Sequence, residues 1–343
     1  MIASLTINSL DSVRRLLGEL PGPDRTAMAA TRTREACLTK PEGALGRLEE
    51  LTVWLSGWQC RHPPRCESVH AAIFAGNHGL AAHGVSAYPQ AVTAQMVENF
   101  RSGGAAVNQL CQAFDVGLKV HAFDLDKPTA DVLQAPAMSE TDCAAALAAG
   151  AQVVPSAADV LCLGEMGIGN TAAAAALTCA LYGGEAAGWT GPGTGVSGIT
   201  HVRKAAVVAA AVARHRDAAI DPLDLLRRLG GWEMAAIAGA VLAARFARVP
   251  VILDGFVACA AAAPLAALRP DALDHCQVGH LSAEPGHRRL LDWLDKTPLL
   301  RLDMRLGEAS GAVLAVPLLR AAVACHTGMA TFGEAGVAGR SES

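Results

Sequence analysis

The chain has 343 residues, with 28 Lys+Arg against 32 Asp+Glu and a formal net charge of −4. Hydrophobic residues make up 52% and charged residues 17%, which excludes a disordered chain, and the mildly acidic total gives no electrostatic ground for nucleic-acid or anionic-membrane partners. At about 150 residues per domain, the length predicts two domains, or one large domain with an appendage.

Taken in chain order, residues 10–20 read as a helix with no strand before it. RHPPRC (61–66) is a turn-forming connector ahead of a first strand at Val69–Ala75. Further strands are predicted at 118–124, 159–163, Ala186–Trp189, 250–254 and 276–281, and helices at 89–100, 105–113, 171–182, 201–215 and 234–247. Asp221-Pro222 opens another helix, with the aspartate as N-cap and proline in the first turn. Residues 311–329 read as the last helix, and the Gly/Ser-rich tail 333–343 as frayed.

Short apolar runs alternating with Ala-rich helical stretches are the pattern of βαβ units and a parallel sheet. The expected fold is therefore α/β: a doubly wound parallel sheet (Rossmann-like) over residues 26–290, carrying the active site. A small helical domain is expected from both chain ends, 1–25 and 291–343, the latter supplying Glu308.

Mean hydropathy is +0.29, yet the apolar stretches at 172–182 and Phe256–Leu268 fall short of the ~20 residues that span a bilayer. Pro264 also interrupts the second. The N-terminus carries Asp11 early and lacks a basic region followed by an apolar one, so the expected location is cytoplasmic. The ten cysteines include no C-x-x-C pair and sit in settings such as DVLCLG, which reads as core thiols rather than disulfides. The histidines are scattered and H-E-x-x-H does not occur, so no metal site is expected.

In an open parallel sheet, ligands bind beyond the carboxyl ends of the strands, which directs attention to four loops. After Ala75, Asn77, His78, Ser86 and Gln90 offer hydrogen bonds to a flat heterocycle without net charge; glycine turns alone would explain the same stretch. Gly164-Glu-Met-Gly-Ile-Gly-Asn-Thr171 closes a strand and opens a helix, so Gly167, Gly169 and the helix N-terminus suit a phosphate. The bland account of that loop is a helix capped by Asn170 or Thr171. Gly191-Pro-Gly-Thr-Gly-Val-Ser-Gly198 offers backbone donors around Gly193, Thr194 and Gly195, with Lys204 about two turns on, and reads equally as a flexible loop.

The fourth loop, Arg305-Leu-Gly-Glu-Ala-Ser-Gly311, places Glu308 among glycines and apolar residues, where desolvation raises a carboxyl toward a general base's working range. A carboxylate favouring a helix start is the competing account. The polar stretches at 280–287 and Asp254-Gly255 either line the site or form turns. These residues indicate an α/β enzyme for a small phosphorylated ligand, with a carboxylate base.

Seven stretches together resemble the nicotinate-nucleotide–dimethylbenzimidazole phosphoribosyltransferase family: KPEGALGRLEEL (40–51), FAGNHG (74–79), GVSAYPQAVTAQMV (84–97), GEMGIGNT (164–171), GPGTGVSG (191–198), SAEPGH (282–287) and RLGEASGA (305–312). The resemblance runs from about residue 30 to 330 with the motifs in order. It implies a parallel-sheet domain with a helical domain from both termini, a homodimer, and no metal or organic cofactor. It further implies transfer of phosphoribose from nicotinate mononucleotide to 5,6-dimethylbenzimidazole, giving α-ribazole 5′-phosphate, the lower-ligand nucleotide of cobalamin, and nicotinate.

By the same resemblance Glu308 is the proton acceptor. Phosphate and ribose contacts fall on the segments holding Gly167, Gly169, Asn170 and Thr171, on Gly193, Thr194 and Gly195, and on Lys204, with Glu165 beside the nucleotide. Ser86 and Gln90 fall near the base pocket with Asn77 and His78. Asn77 stands where the family pattern has aspartate, which removes one charge there. Two other functions compete with this one: a non-catalytic protein that sequesters benzimidazoles, and a nicotinamide-dinucleotide oxidoreductase. Against the latter, no strand is followed by G-x-G-x-x-G with an acidic residue ~20 positions on.

Overall fold

The computed structural model describes residues 5–155 and 157–338; the first four positions and the last five of the tail lie outside them. Three helices, α1 (Leu10–Gly18), α2 (Arg25–Cys37) and α3 (Arg47–Gln59), precede strand β1 (Val69–Ala75). Then come α4 (Val92–Arg101), α5 (Ala106–Ala113), β2 (Gly117–Ala122), α6 (Glu140–Ala151) and β3 (Val160–Met166). A long crossover follows, through α7 (Asn170–Tyr182), α8 (Ala186–Trp189), α9 (Gly198–His215), α10 (Pro222–Leu229) and α11 (Trp232–Ala247). The chain ends with β4 (Val251–Leu253), α12 (Phe256–Leu268), β5 (Cys276–His280), α13 (Pro285–Leu294), β6 (Pro298–Leu300), α14 (Ser310–Gly328) and α15 (Phe332–Ala335).

The six strands form one parallel sheet in the order β2-β1-β3-β4-β5-β6. The order reverses between β1 and β3. Right-handed crossovers on either side of that reversal must run over opposite faces, and the packing follows. Alternation along each strand divides the side chains. Val69, Ala71 and Ile73 of β1, Val160 and Cys162 of β3 and Ile252 of β4 pack with Leu51, Phe100, Val107, Val313 and Leu319 on the α4/α5/α14 face. Ala72, Phe74, Leu161, Leu163, Leu253 and Val278 face the Ala-rich helices α6, α7, α11 and α12. The doubly wound α/β reading holds.

On that face α6 and α11 cross backbone to backbone at two glycines. A Cβ at Gly239 would stand 1.9 Å from the Leu147 carbonyl oxygen, and one at Gly150 would stand 1.8 Å from that of Ala236. Gly239→Ala is therefore expected to separate the two helices and lose about 1–3 kcal/mol. The readout is a melting temperature lower by about 2–6 °C; an unchanged value would contradict this contact.

Several expectations are corrected. Ala186–Trp189 is a short helix, not a strand: Trp189 is buried with its Nε1 donating to the Gly183 carbonyl at 2.8 Å, and β4 already occupies the place beside β3. Four residues are too few for periodicity to separate the two states. β6, a three-residue edge strand that opens on Pro298, is not among the expected elements, and neither are α2, α3, α6, α13 and α15, the last of which gives order to the start of the tail expected to fray. α14, 19 residues long, is by length and composition apolar enough to cross a membrane. Here Val313, Val316 and Leu319 bury it on the sheet, and Arg320 donates to the carbonyls of Cys66 and Asp115 at 3.1 Å.

The helices that meet from the two chain ends are α2, α3 and α14. Arg34 donates to the His326 carbonyl at 2.8 Å, His326 Nδ1 lies 2.7 Å from Glu35 Oε1, and Leu38 pairs with Thr331. Residues 10–18 lie elsewhere: Leu10, Val13 and Leu17 join the α6 side of the core, and Arg245 Nε donates to the Pro21 carbonyl at 2.7 Å. All ten cysteines are unpaired, with Cys37 and Cys60 exposed and most others buried. Burial pushes the Cys143 and Cys276 thiols up to about 12, which leaves them inert.

Candidate active site

The carboxyl ends of β3, β4 and β5 open into one cleft of about 80 Å³, closed above by the 193–194 and 305–307 segments. The β3 end carries the first glycine loop. Gly169, at φ +97°, forms the N-cap of α7 without any side-chain cap, so Asn170 and Thr171 are not caps. Instead Asn170 Nδ2 donates to the Glu165 carboxylate, and Thr171 Oγ1 accepts from Lys204 Nζ at 2.9 Å. An uncapped helix N-terminus behind glycines leaves backbone donors for an anion.

The second glycine loop is held by three ionisable side chains. Gly193 N–H donates to Glu284 Oε1 at 2.7 Å, Arg305 Nη1 donates to the Gly193 carbonyl at 2.7 Å, and Lys204 Nζ donates to the Gly191 carbonyl at 3.0 Å. Lys204 is fully buried, and desolvation pulls its ammonium down to about 8 against the charge of Glu284. With two of its three donors used on Thr171 and Gly191, it ties the two loops together from behind. Thr194 Oγ1 reaches Ser86 Oγ at 3.0 Å on the rim.

Glu308 and Ala309 both adopt left-handed backbone, at φ +63° and +60°, a pairing that costs of order 1–3 kcal/mol per residue and gathers at functional segments. The Glu308 N–H donates to the Glu165 carbonyl at 3.2 Å, which fixes the residue beside β3. Its side chain is buried, with no hydrogen-bond partner among the described residues. Burial, and then the charge of Asp254, push its carboxyl up to about 7. The helix-start role is taken by Asp254, whose Oδ1 accepts from the Gly311 and Ala312 N–H groups at 2.7 and 2.9 Å. Glu165 is held well above the usual carboxylate range, first by burial and then by the charges of Glu233 and Asp254. These buried carboxylates cannot all ionise together at neutral pH.

Glu165, Gly167, Asn170, Thr171, Gly193 and Thr194 thus line the cleft together with Gly307; Glu308, the next residue, is buried beside that wall and does not itself line the cleft. Gly169, Gly195 and Lys204 support the loops without lining it. Asn77, His78 and Gln90 form a layer behind the end of β1: His78 Nε2 lies 2.6 Å from Glu233 Oε1, Gln90 Nε2 donates to the His78 carbonyl at 2.9 Å, and Asn77 Nδ2 donates to the Leu125 carbonyl at 2.9 Å. His280, Ser282, Glu284 and Arg305 also line the cleft; their segments stand out as polar loops after strands, though no local signal separates them from turns. Glu233, inside the apolar helix α11, gives no signal at all.

A doubly wound sheet bearing two glycine loops, an uncapped helix N-terminus and a buried carboxylate poised near neutrality defines an enzyme acting on a phosphorylated nucleotide. A family model described as Phosphoribosyltransferase (DBI_PRT) matches residues 20–337. Proteins of Rhizobium etli and Rhizobium meliloti, both named nicotinate-nucleotide–dimethylbenzimidazole phosphoribosyltransferase, are 58% identical over 330 residues, 96% of this chain and 97% of theirs. A Thermus thermophilus crystal structure titled CobT superposes with a TM-score of 0.85 at 43% identity, covering 91% of this chain and 99% of its own. A second from the same organism, titled with the phosphoribosyltransferase name, gives 0.84 at 42% identity over 92% of this chain and 100% of its own. The chain belongs to the nicotinate-nucleotide–dimethylbenzimidazole phosphoribosyltransferase family and is an enzyme.

Proposed function

We propose that the protein transfers the phosphoribosyl group of nicotinate mononucleotide to 5,6-dimethylbenzimidazole, releasing nicotinate and forming α-ribazole 5′-phosphate for the lower ligand of cobalamin. Family membership supports the substrates, and the observation that carries the chemistry is Glu308, a buried carboxyl at about 7 that directly follows the cleft-lining Gly307. It accepts the proton of one benzimidazole nitrogen while the other nitrogen attacks C1′ of the ribose. Attack opposite the leaving group inverts the anomeric centre from β to α. Nicotinate leaves from a cationic ring nitrogen and needs no acid, so one base and good positioning suffice.

In this reading the phosphate and ribose lie against Gly167, the α7 N-terminus at Asn170 and Thr171, and Gly193 and Thr194, with Glu165 beside the sugar and Gly169 and Gly195 shaping the loops from behind. Lys204 holds the loops in register. Ser86 borders the base, while Asn77, His78 and Gln90 shape its pocket from behind. We further read the protein as a cytoplasmic homodimer; the exposed Ile199 and Val202, neighbours on one face of α9, supply apolar surface for a second copy.

Incubation with nicotinate mononucleotide and a panel of benzimidazoles and purines, followed by mass analysis, tests the reaction. The expected result is free nicotinate together with the riboside phosphate of the benzimidazole. Binding of the base without either product would return the protein to a sequestering role.

A further inference from the structure

The start of α14 rests on a row of three residues across the sheet. Leu163 pairs with Leu253 and Leu253 with Val278, so the next row is Gly164, Asp254 and Gly279. Both glycines let the helix backbone touch the sheet: a Cβ at Gly164 would stand 2.0 Å from the Ala309 nitrogen, and one at Gly279 would stand 2.7 Å from the Ala312 Cα. Between them the Asp254 side chain rises and takes the first N–H groups of α14 on Oδ1, at 2.7 Å from Gly311 and 2.9 Å from Ala312. Its Oδ2 is buried without a hydrogen-bond partner. Glu308 lies two residues before this helix, at the end of the segment Asp254 pins.

We propose that Asp254 is a positioning residue for Glu308, fixing through α14 where that carboxylate stands and setting, through its charge, how readily it takes a proton. This rests on Glu308 being the base. Asp254 does not line the cleft, and its contacts run to the start of α14, so in this proposal it acts through that helix. Burial pushes the Asp254 carboxyl above its ordinary value, opposed first by the neighbouring His280 and then by the N–H groups at the positive end of α14, which favour its ionised form. In its ionised form Asp254 adds to the burial that already raises the Glu308 carboxyl, because one negative charge disfavours a second beside it, and Glu308 becomes a stronger base than an exposed carboxylate.

Other ionisable groups surround the same point: Glu165 on β3, His280 on β5, Glu233 on α11 and Arg305 in the loop before Glu308. Glu165 is held well up by burial first, which favours its neutral form. His280 Nε2 lies 3.8 Å from Asp254 Oδ1, and neither ring nitrogen has a hydrogen-bond partner. Arg305 is engaged with the Gly193 carbonyl. Asp254 is the group whose charge and helix contact both bear on Glu308.

Asp254→Asn keeps the accepting oxygen and removes the charge. The expected result is an acidic limb of the kcat/KM profile for the benzimidazole displaced downward by about one pH unit, with kcat at the optimum reduced about tenfold and KM for nicotinate mononucleotide unchanged. The limb contributed by the benzimidazole's own titration stays in place, which separates the two. A profile superimposable on the wild type, a change confined to the nucleotide KM, or complete loss of turnover in a folded protein would each overturn the proposal. Should the asparagine variant not fold, Asp254→Ser also offers an uncharged acceptor, and the same profile decides. An active Glu308→Gln variant would defeat the assignment of the base itself; an inactive one with an unmoved Asp254→Asn limb defeats only the role of Asp254.

Discussion

Glu308→Gln is expected to lose a factor of about 10²–10⁴ in kcat while becoming more stable at pH 8. Both effects come from one environment. Burial holds the carboxyl at about 7 against its ordinary 4.5, so the folded protein prefers the protonated form. Below pH 4.5 folded and unfolded chains are both protonated at this position and the fold suffers no penalty. As pH rises toward 7 the unfolded chain ionises first and stability is lost progressively; above 7 the loss is complete, up to about 3 kcal/mol at 1.36 kcal/mol per pH unit. Glutamine has nothing to ionise. Melting curves should therefore show the variant ahead of the wild type at pH 8 and level with it at pH 4. Nucleotide binding by calorimetry should be near normal. Turnover close to wild type would remove Glu308 from the chemistry, and equal melting curves at pH 8 would show that its burial carries no cost.

Gly164→Ala is expected to disable the enzyme from inside the sheet. β3 lies between β1 and β4, with Gly164 paired to Ile73, so its backbone has no room to yield. A methyl there would meet the Ala309 nitrogen at 2.0 Å and its Cα at 2.5 Å. The strained 308–309 turn must move instead, carrying Glu308 with it. Overpacking of this kind costs about 1–3 kcal/mol, and a displacement near 1 Å at a reacting group costs about 10²-fold in rate. The glycine loops proposed to hold the nucleotide keep their contacts, so affinity for nicotinate mononucleotide should persist while kcat falls. A variant with wild-type kcat would show that the seat of α14 does not control the position of the carboxylate.

The fold is legible where local pattern and tertiary role agree. β1 and β3 are apolar runs followed by glycine, and the Ala-rich helices between strands follow as βαβ logic requires. The polar, weakly patterned α2 and the three-residue β6 are not legible, because their stability comes from what they pack against. Ala186–Trp189 fails for a related reason: four residues fit either state, and the sheet has no vacant position for a strand.

The candidate site shows the same division. The loops after β1 and β3, the 191–198 loop and the segment around Glu308 stand out by composition, since glycine and polar residues after an apolar run mark strand ends in a parallel sheet. Lys204 also stands out, yet its burial behind the loops follows only from the packing of α9 on α7. Glu284 and Arg305 hold opposite ends of the Gly193 peptide from segments 91 and 112 residues away in sequence, and no local signal carries that information.

From its residues alone this chain declares an α/β enzyme with two phosphate-suited glycine loops and an acidic residue near its last helix. The tertiary structure decides what that acid is able to do. Glu165, Asp254 and Glu308 come from three distant parts of the chain and meet only because neighbouring strands end together beneath α14. The proton affinity of a carboxyl depends on the water it has lost and the charges brought near it, and both are properties of the assembled sheet rather than of any local stretch of sequence.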